Sequence, residues 1–447
     1  MKFLIGKQLT IVILLITVSS ILPVTTLPLK NTFFWWGVNA MSIFIILKAL
    51  RLSKVFIGRQ SNNLLFVQLL LVWYLTCIIR GCFIADNYWE WKNLIETSFS
   101  MTLPLVAYLA INPMFVLFIT QKWLRFALPL YFLFFPFLFY DGSGRYLVPV
   151  SIFLLLFPLV TKKWKIILVG LSLFIFLGDP DARSNLIKFS VPLLMSLGIY
   201  VGIYKLKSAT VALYYTMICL PIVLFGLGVS GIFNIFKMDD YIGYAQNATV
   251  IYKGQEIDMK ADTRTFIYKE VIESSIKHNY YLWGRTPARG NDSDSFGWQN
   301  KELLGLQTKE RFANEVSIAN VFTWTGLIGV FLYFLAFAKA SYLAVFKSKN
   351  QYARLLGLYI AFRWCYAWVE DFTNFDLSYL YLWVVIGLGY SVQFREMNDK
   401  QIQLWIKGIF DFKYGKNAIA STGSVVTKSV PDNQILAGNS AKFIREI

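Results

Sequence analysis

Runs of about twenty predominantly apolar residues follow one another through most of this chain, each closed by charged residues or a turn. That is the length an α-helix needs to cross the ~30 Å hydrocarbon slab of a bilayer. The runs read as spans at 8–28, 33–50, 64–84, 102–120, 124–140, 145–161, 164–178, 189–204, 209–233, 316–338, 355–370 and 377–394. Only 15% of the 447 residues are charged and 56% are hydrophobic, too few charges to cover a soluble protein of this size. The expected fold is an all-α polytopic membrane protein with about twelve transmembrane helices and a lipid solvent.

The formal net charge of +17 raises the question of nucleic acid. The basic residues, however, form no tract or amphipathic stripe; they punctuate the apolar runs, so no nucleic-acid partner is expected. They also alternate. With Lys2 and Lys7 inside, the same side receives Arg51, Lys54 and Arg59, Lys122 and Arg125, Lys162, Lys163 and Lys165, Lys205 and Lys207, and Lys347, Lys349 and Arg354. The opposite loops hold Asp86, Glu90, Glu96, Asp141, Asp179, Asp181, Glu370, Asp371 and Asp376. Both termini are therefore expected in the cytoplasm. The start, "MKFLIGKQLTIVILLITVSSILPV", is built like a signal peptide but has no clear small-x-small cleavage site, so it reads as an uncleaved first helix. Cys77, Cys82, Cys219 and Cys365 show no CxxC spacing and read as small core hydrophobes.

One long polar insertion, about 234–315, breaks the pattern between the ninth and tenth spans and faces the outside. Its acidic and basic residues nearly cancel and it is rich in aromatics, which suits a folded cap better than a disordered tether. Within it "DTRTFIYKEVIESSIKHNYY" reads as a helix, capped by Asp262 or Thr263, with Ile267, Val271, Ile272 and Ile276 on one face. Trp283 to Gly297 reads as loop.

Several outward-facing groups have the chemistry of an anion site. Arg183 opens a span. Arg264 stands in the first turn of the insertion helix, where free N–H groups and the dipole already favour an anion. Arg285 and Arg289 lie in "LWGRTPARGND", where Pro287 stiffens the chain and Gly284 and Gly290 allow close approach. A guanidinium binds phosphate through two parallel hydrogen bonds. For each of these arginines a snorkelling or salt-bridged role competes with the functional one, Asp292, Asp294 and Glu302 being the nearest partners for the pair. Glu315, beside Asn314, sits at the membrane boundary, followed by Gly326 and Gly329, three apart on one helical face where a neighbouring helix or lipid chain could approach closely. Low-dielectric surroundings there would raise a carboxylate toward the range of a general base, while a plain helix N-terminal carboxylate explains it equally well. Arg363 lies near mid-membrane with Glu370 two turns on, either a functional charge or an internal ion pair. His278, at the end of the insertion helix, reads as a hydrogen-bonded structural histidine.

After the last span, 395–416 reads as a cytoplasmic linker. "NAIASTGSVVTKSVPDNQILAGNSAKFIREI", within 417–447, resembles the C-terminal end of hexapeptide-repeat acyltransferases, with Ile419 and Val425 at the six-residue spacing. It supplies roughly one coil of a solenoid that needs several, and it has no histidine, so it reads as a non-catalytic remnant.

In architecture, residues 1–394 resemble the O-antigen ligase and O-antigen polymerase family, most sharply in "DPDARSNL", in "DTRTFIYKEV" with "LWGRTPARGNDS", and in "NEVSIANVFTWTGLIG". The resemblance implies a GT-C-like membrane core with one large periplasmic loop between helices 9 and 10. It places the chain in a bacterial inner membrane, multi-pass, with a periplasmic active site. It further implies a metal-independent, inverting glycosyltransferase without cofactor. The donor would be an oligosaccharide on undecaprenyl diphosphate, and the acceptor the hydroxyl of another lipid-linked repeat unit or of lipid A-core. Arg183 and Arg264 would hold the diphosphate, Glu315 would be the catalytic base, and Arg285, Arg289 and Asn314 would assist. Ligases of the family carry a histidine and then a polar residue, nine residues before Gly-x-x-Gly; here those places hold Glu315 and Val316. The broken pattern and the acetyltransferase-like tail favour a polymerase over a ligase. A lipid-linked sugar transporter is the competing class, and the lack of an evident internal repeat speaks against it.

Overall fold

The computed structural model describes residues 2–29, 31–57, 64–139, 142–178, 183–232, 249–252, 255–258, 263–294, 309–411, 419–420, 434–437 and 442–446. Helices dominate them. The N-terminal part runs α1 (Lys2–Ile21), α2 (Thr32–Ile57), α3 (Leu65–Cys82), α4 (Tyr88–Thr102), α5 (Val106–Ala110), α6 (Pro113–Lys122), α7 (Leu128–Phe134), α8 (Gly142–Tyr146), α9 (Val148–Leu155), α10 (Lys162–Gly178), α11 (Arg183–Val201) and α12 (Lys207–Val229). The insertion contains two small antiparallel pairs, β1 (Thr249–Tyr252) with β2 (Gln255–Asp258) and β3 (Asn291–Asp292) with β4 (Glu310–Arg311), around α13 (Thr263–Lys277). Then follow α14 (Ser317–Phe346), α15 (Gln351–Tyr366), α16 (Leu377–Tyr390), α17 (Val392–Glu396) and α18 (Asp399–Asp411).

Among the described residues six stretches, Gly6–Val24, Thr32–Ser53, Leu65–Cys82, Ser184–Val201, Lys207–Val229 and Ser317–Phe346, are long and apolar enough to cross a membrane. They make this a helical chain of the multi-pass membrane type. Their outer faces carry Val72, Leu75, Ile79, Val201, Val223 and Val229, all exposed. An apolar belt of that kind is stable in lipid and costly in water.

Other expected spans fall on shorter helices. The expected span 102–120 straddles a sharp bend: Tyr88–Ala110 and Pro113–Phe137 meet at 119°. The cause is local. Pro113 has no N–H to continue a helix and occupies the first helical position of α6, while the Asn112 side chain caps the new helix by accepting from the Met114 N–H at 3.0 Å. The bend nests against α16, where a Cβ on Gly387 would lie 2.6 Å from the Ala107 carbonyl. The expected linker 395–416 contains α18, whose Ile402, Trp405, Ile406, Ile409 and Phe410 are buried. Its Trp405 indole donates to the Pro113 carbonyl at 3.0 Å, and Gln121 of α6 donates to the Gly408 carbonyl at 2.6 Å. At the C-terminal end, β5 (Ile419–Ala420) pairs parallel with β6 (Gln434–Ala437), which pairs antiparallel with β7 (Lys442–Glu446). Cys77 is buried as expected, whereas Cys82 and Cys219 are exposed on the apolar surface.

The central feature is a break in α14. Gly326 has φ 67° and ψ −170°, an extended left-sided backbone conformation open to glycine alone. The hydrogen-bond ladder of the helix stops there, and the segment 281–286 takes its place. Leu327 N–H donates to Tyr281 O at 2.8 Å and Ile328 N–H to Leu282 O at 3.3 Å. In the other direction Arg285 N–H donates to Thr323 O at 2.7 Å and Thr286 N–H to Trp324 O at 3.2 Å. The approach is close enough that a Cβ on Gly326 would sit 2.2 Å from the Leu282 carbonyl oxygen. From α3, Arg80 donates to the carbonyls of Trp283 (2.7 Å) and Gly284 (3.2 Å), and Trp73 to that of Thr325 (2.9 Å). Gly326→Ala is therefore expected to destabilise the protein by about 2 kcal/mol or more, read as a lowered melting temperature in detergent, while Gly37→Ala, where a Cβ meets open space, leaves it unchanged.

Candidate functional site

The insertion helix α13 lies where its sequence places it and is docked against the neighbouring helices. Ile267 and Val271 bury against Val316 and Ala319, while Ile276, expected on the same face, is exposed. The Tyr268 hydroxyl donates to the Trp368 carbonyl at 2.8 Å, and Arg264 Nε donates to the Val369 carbonyl at 2.8 Å. Ser317, the first residue of α14, holds the loop 370–372 by donating to the Glu370 carbonyl (2.9 Å) and accepting from the Phe372 N–H (3.0 Å). These contacts bring the first turn of α13, the approach to α14 and the 370–376 loop into one place.

A cavity of about 350 Å³ opens there, lined by Arg145, Lys188, Arg264, Asn314, Glu315, Glu370, Asp371 and Asp376 among others. Arg264 and Glu315, singled out in the sequence, thus share a cavity together with Asn314. Arg183 is the first residue of α11, five positions before Lys188, and its side chain lies outside the described residues. Lys188 and Arg264 both face Glu370, at 3.2 and 3.9 Å. Asn314 is buried; its amide nitrogen donates to Asn291 at 2.9 Å, while its Oδ1 has no hydrogen-bond partner. The surroundings of Glu315 differ from expectation. Its side chain is 54% exposed and its Oε1 accepts from Arg311 at 3.2 Å, in place of the low-dielectric surroundings expected.

Asp376, which sequence reasoning did not single out as a site residue, is the more deeply set carboxylate. It caps α16 by accepting from the Tyr379 N–H at 2.9 Å. Burial pushes it up to about 6, against the lowering effect of that N–H and of the Arg145 and Lys188 charges, with Asp371 adding to the rise. The available sequence signal was a capping Asp before an apolar run, which marks a helix start and says nothing of a cavity.

Arg285 and Arg289 are elsewhere. Arg285 reaches Glu310 at 3.0 Å and Asp292 at 3.2 Å; Arg289 is paired with Glu310 and lies 3.7 Å from Glu90. Neither lines the cavity. They neutralise the buried Glu310 and tie the loop to β4 and α4. His278 takes the structural role expected of it, 2.9 Å from Asp292. Burial alone would raise Asp292, but hydrogen bonds from Lys277 and His278 and the Arg285 charge hold it down at about 2. Arg363 is buried with its guanidinium 4.3 Å from the Phe372 ring centroid, and the ion pairs recorded for Glu370 run to Lys188 and Arg264 instead.

A second cavity of about 480 Å³ adjoins the first. Asn374 lines both, and Ala313 lines this one where Asn314 and Glu315 line the other. No protein-family model matches the chain, and no solved structure matches it.

The two shifted aspartates act on stability with opposite sign. Between about pH 4 and 6 the folded protein holds a proton on Asp376 that the unfolded chain has lost, so stability falls as pH rises through that window. Asp292 keeps its charge below the ordinary carboxylate range, so its contribution is present above about pH 4 and is lost as pH falls toward 2. Melting temperatures measured against pH in detergent should show Asp376→Asn removing the first slope and Asp292→Asn the second. The Asp376→Asn substitution keeps a side-chain oxygen able to cap the helix, so the change of slope reports the lost titration.

Proposed function

We propose that the protein is a metal-independent, inverting glycosyltransferase of the periplasmic face of a bacterial inner membrane, with a GT-C-like core of about twelve spans and both termini cytoplasmic. It transfers an undecaprenyl-diphosphate-linked oligosaccharide to the hydroxyl of another lipid-linked repeat unit, as a surface-polysaccharide polymerase. One observation carries the reading: Arg264 and Glu315, far apart in sequence, line one cavity with Arg145 and Lys188 at the mouth of the helix bundle.

In this reading the acceptor oxygen attacks the anomeric carbon, the bond from that carbon to the diphosphate oxygen breaks, and the electron pair leaves with the diphosphate. Arg264 and Lys188 meet the charge that develops there. Without ligand their charge is met by Glu370, which the phosphate displaces. Arg183, the first residue of α11, is the second arginine assigned to the diphosphate. The acceptor proton passes to a cavity carboxylate, either Glu315 or Asp376. Asp376 is held near neutrality, which suits a group that must accept a proton at working pH. Asn314 offers its unpartnered Oδ1 to a donor hydroxyl. Arg285 and Arg289 keep the insertion loop in place. The C-terminal segment 417–447 takes no part in the chemistry.

Arg264→Lys retains the charge but loses the paired N–H donors, and is expected to lower glycan chain extension at least a hundredfold in membranes supplied with lipid-linked repeat units. The base is identified by comparing Glu315→Gln with Asp376→Asn: the substitution that abolishes extension marks it. Normal extension in all three variants overturns the site. Deleting the gene separates the classes. Surface glycan reduced to a single repeat unit means polymerase, loss of every unit from lipid A-core means ligase, and repeat units trapped on the cytoplasmic side mean transporter.

A further inference from the structure

We infer that the second cavity is a carbohydrate subsite that takes an uncharged sugar residue. Its assignment to the acceptor glycan rests on the transferase reading above, whereas the sugar-binding property does not. The cavity lies where α1 ends and α2 begins, closed by α4, the start of α14 and the 373–375 loop. Its volume of about 480 Å³ falls within the roughly 300–1,000 Å³ of small-ligand sites.

The lining combines two chemistries that a sugar needs together. Trp35, Trp36 and Trp324 present indole rings, and the apolar C–H face of a pyranose packs on such a surface. Trp36 is the partly exposed ring of the three, fixed in orientation by its N–H donating to Glu96 Oε1 at 3.4 Å. Asn39, Asn93 and Asn374 supply amides, each both donor and acceptor, matching hydroxyls that do the same. Asn39 stands three residues after Trp36, on the same face of α2. It is 8% exposed, yet its Oδ1 has no hydrogen-bond partner. A buried amide oxygen left so is an acceptor awaiting a donor.

Charge narrows the ligand. Among the described residues lining the cavity, Glu96 is the single ionisable carboxylate and there is no Lys or Arg. A phosphate or a uronic acid would meet repulsion without a partner. A lipid chain would leave the buried Asn39 Oδ1 unsatisfied. The cavity next door shares Asn374 and differs in carrying Arg145, Lys188 and Arg264 among its carboxylates, so the division is diphosphate on that side and uncharged sugar on this one, with Glu315 of the first cavity two residues from Ala313 of the second.

The test uses the full-length protein in lipid nanodiscs and saturation-transfer NMR with three probes, the methyl glycosides of a neutral hexose, an N-acetylhexosamine and a hexuronic acid. At least one neutral glycoside should bind, and the hexuronate at least tenfold more weakly. Trp36→Ala and Asn39→Ala should each weaken binding at least tenfold at an unchanged melting temperature, Trp36→Phe should retain most of it, and Arg264→Lys should leave it unaltered. Absence of binding by the wild type, or full binding by a folded Asn39→Ala and Trp36→Ala, overturns the subsite. Sugar binding together with extension that does not depend on Arg264 overturns the assignment of Arg264 to the diphosphate and leaves the subsite standing. Extension lost in Arg264→Lys, but with an unchanged acceptor KM in Trp36→Ala, overturns the acceptor assignment.

Discussion

The docking of segment 281–286 into the gap at Gly326 is the interaction on which the rest of the cap depends. A helix meant for apolar surroundings cannot leave peptide groups unpaired, because no water is there to take them. Here the backbone of the insertion loop supplies four replacement hydrogen bonds and so becomes part of the helix layer. Only a glycine at 326, with a second positive-φ glycine opposite it at Gly284, permits that approach. Once the loop is anchored, α13 can pack its apolar residues on the start of α14, and Arg264 arrives at the mouth of the bundle.

Two sets of basic residues then play different parts, and burial of their partners distinguishes them. Arg285 and Arg289 close on Glu310, a carboxylate deep inside the cap that would be costly without them. Lys188 and Arg264 face Glu370 at the edge of an open cavity that Arg145, Glu315, Asp371 and Asp376 also line. The first set is a structural lock; the second stands at the cavity. The neighbouring cavity is lined by indoles and amides in place of cations.

Much of this was legible in the chain, and the misses have physical causes. The helices and the insertion helix 263–277 followed from periodicity, whereas the placing of Arg264, Asn314 and Glu315 on one cavity is a matter of tertiary contact that no local pattern carries. The bend at Asn112 and Pro113 carried a signal, a cap followed by proline, hidden within an unbroken apolar run. Gly326 and Gly329 were read as a face for close helix packing, whereas Gly326 marks a break filled by a loop from well before it in the chain, a partner no local pattern reveals. Lys188 and Asp376 escaped notice because each is ordinary in its own helix and becomes unusual only beside the others. The helix at 399–411 lay inside a stretch read as a linker, and nothing in its sequence named α6 as the surface it covers.

By itself the sequence determined that this chain lives in a membrane as a helical bundle with a polar cap, since apolar run length and charge distribution act locally and need no partner. Tertiary structure alone decided which charges neutralise one another and which remain at a cavity. That outcome depends on distances between residues remote in sequence, set by one helix break and the loop that fills it.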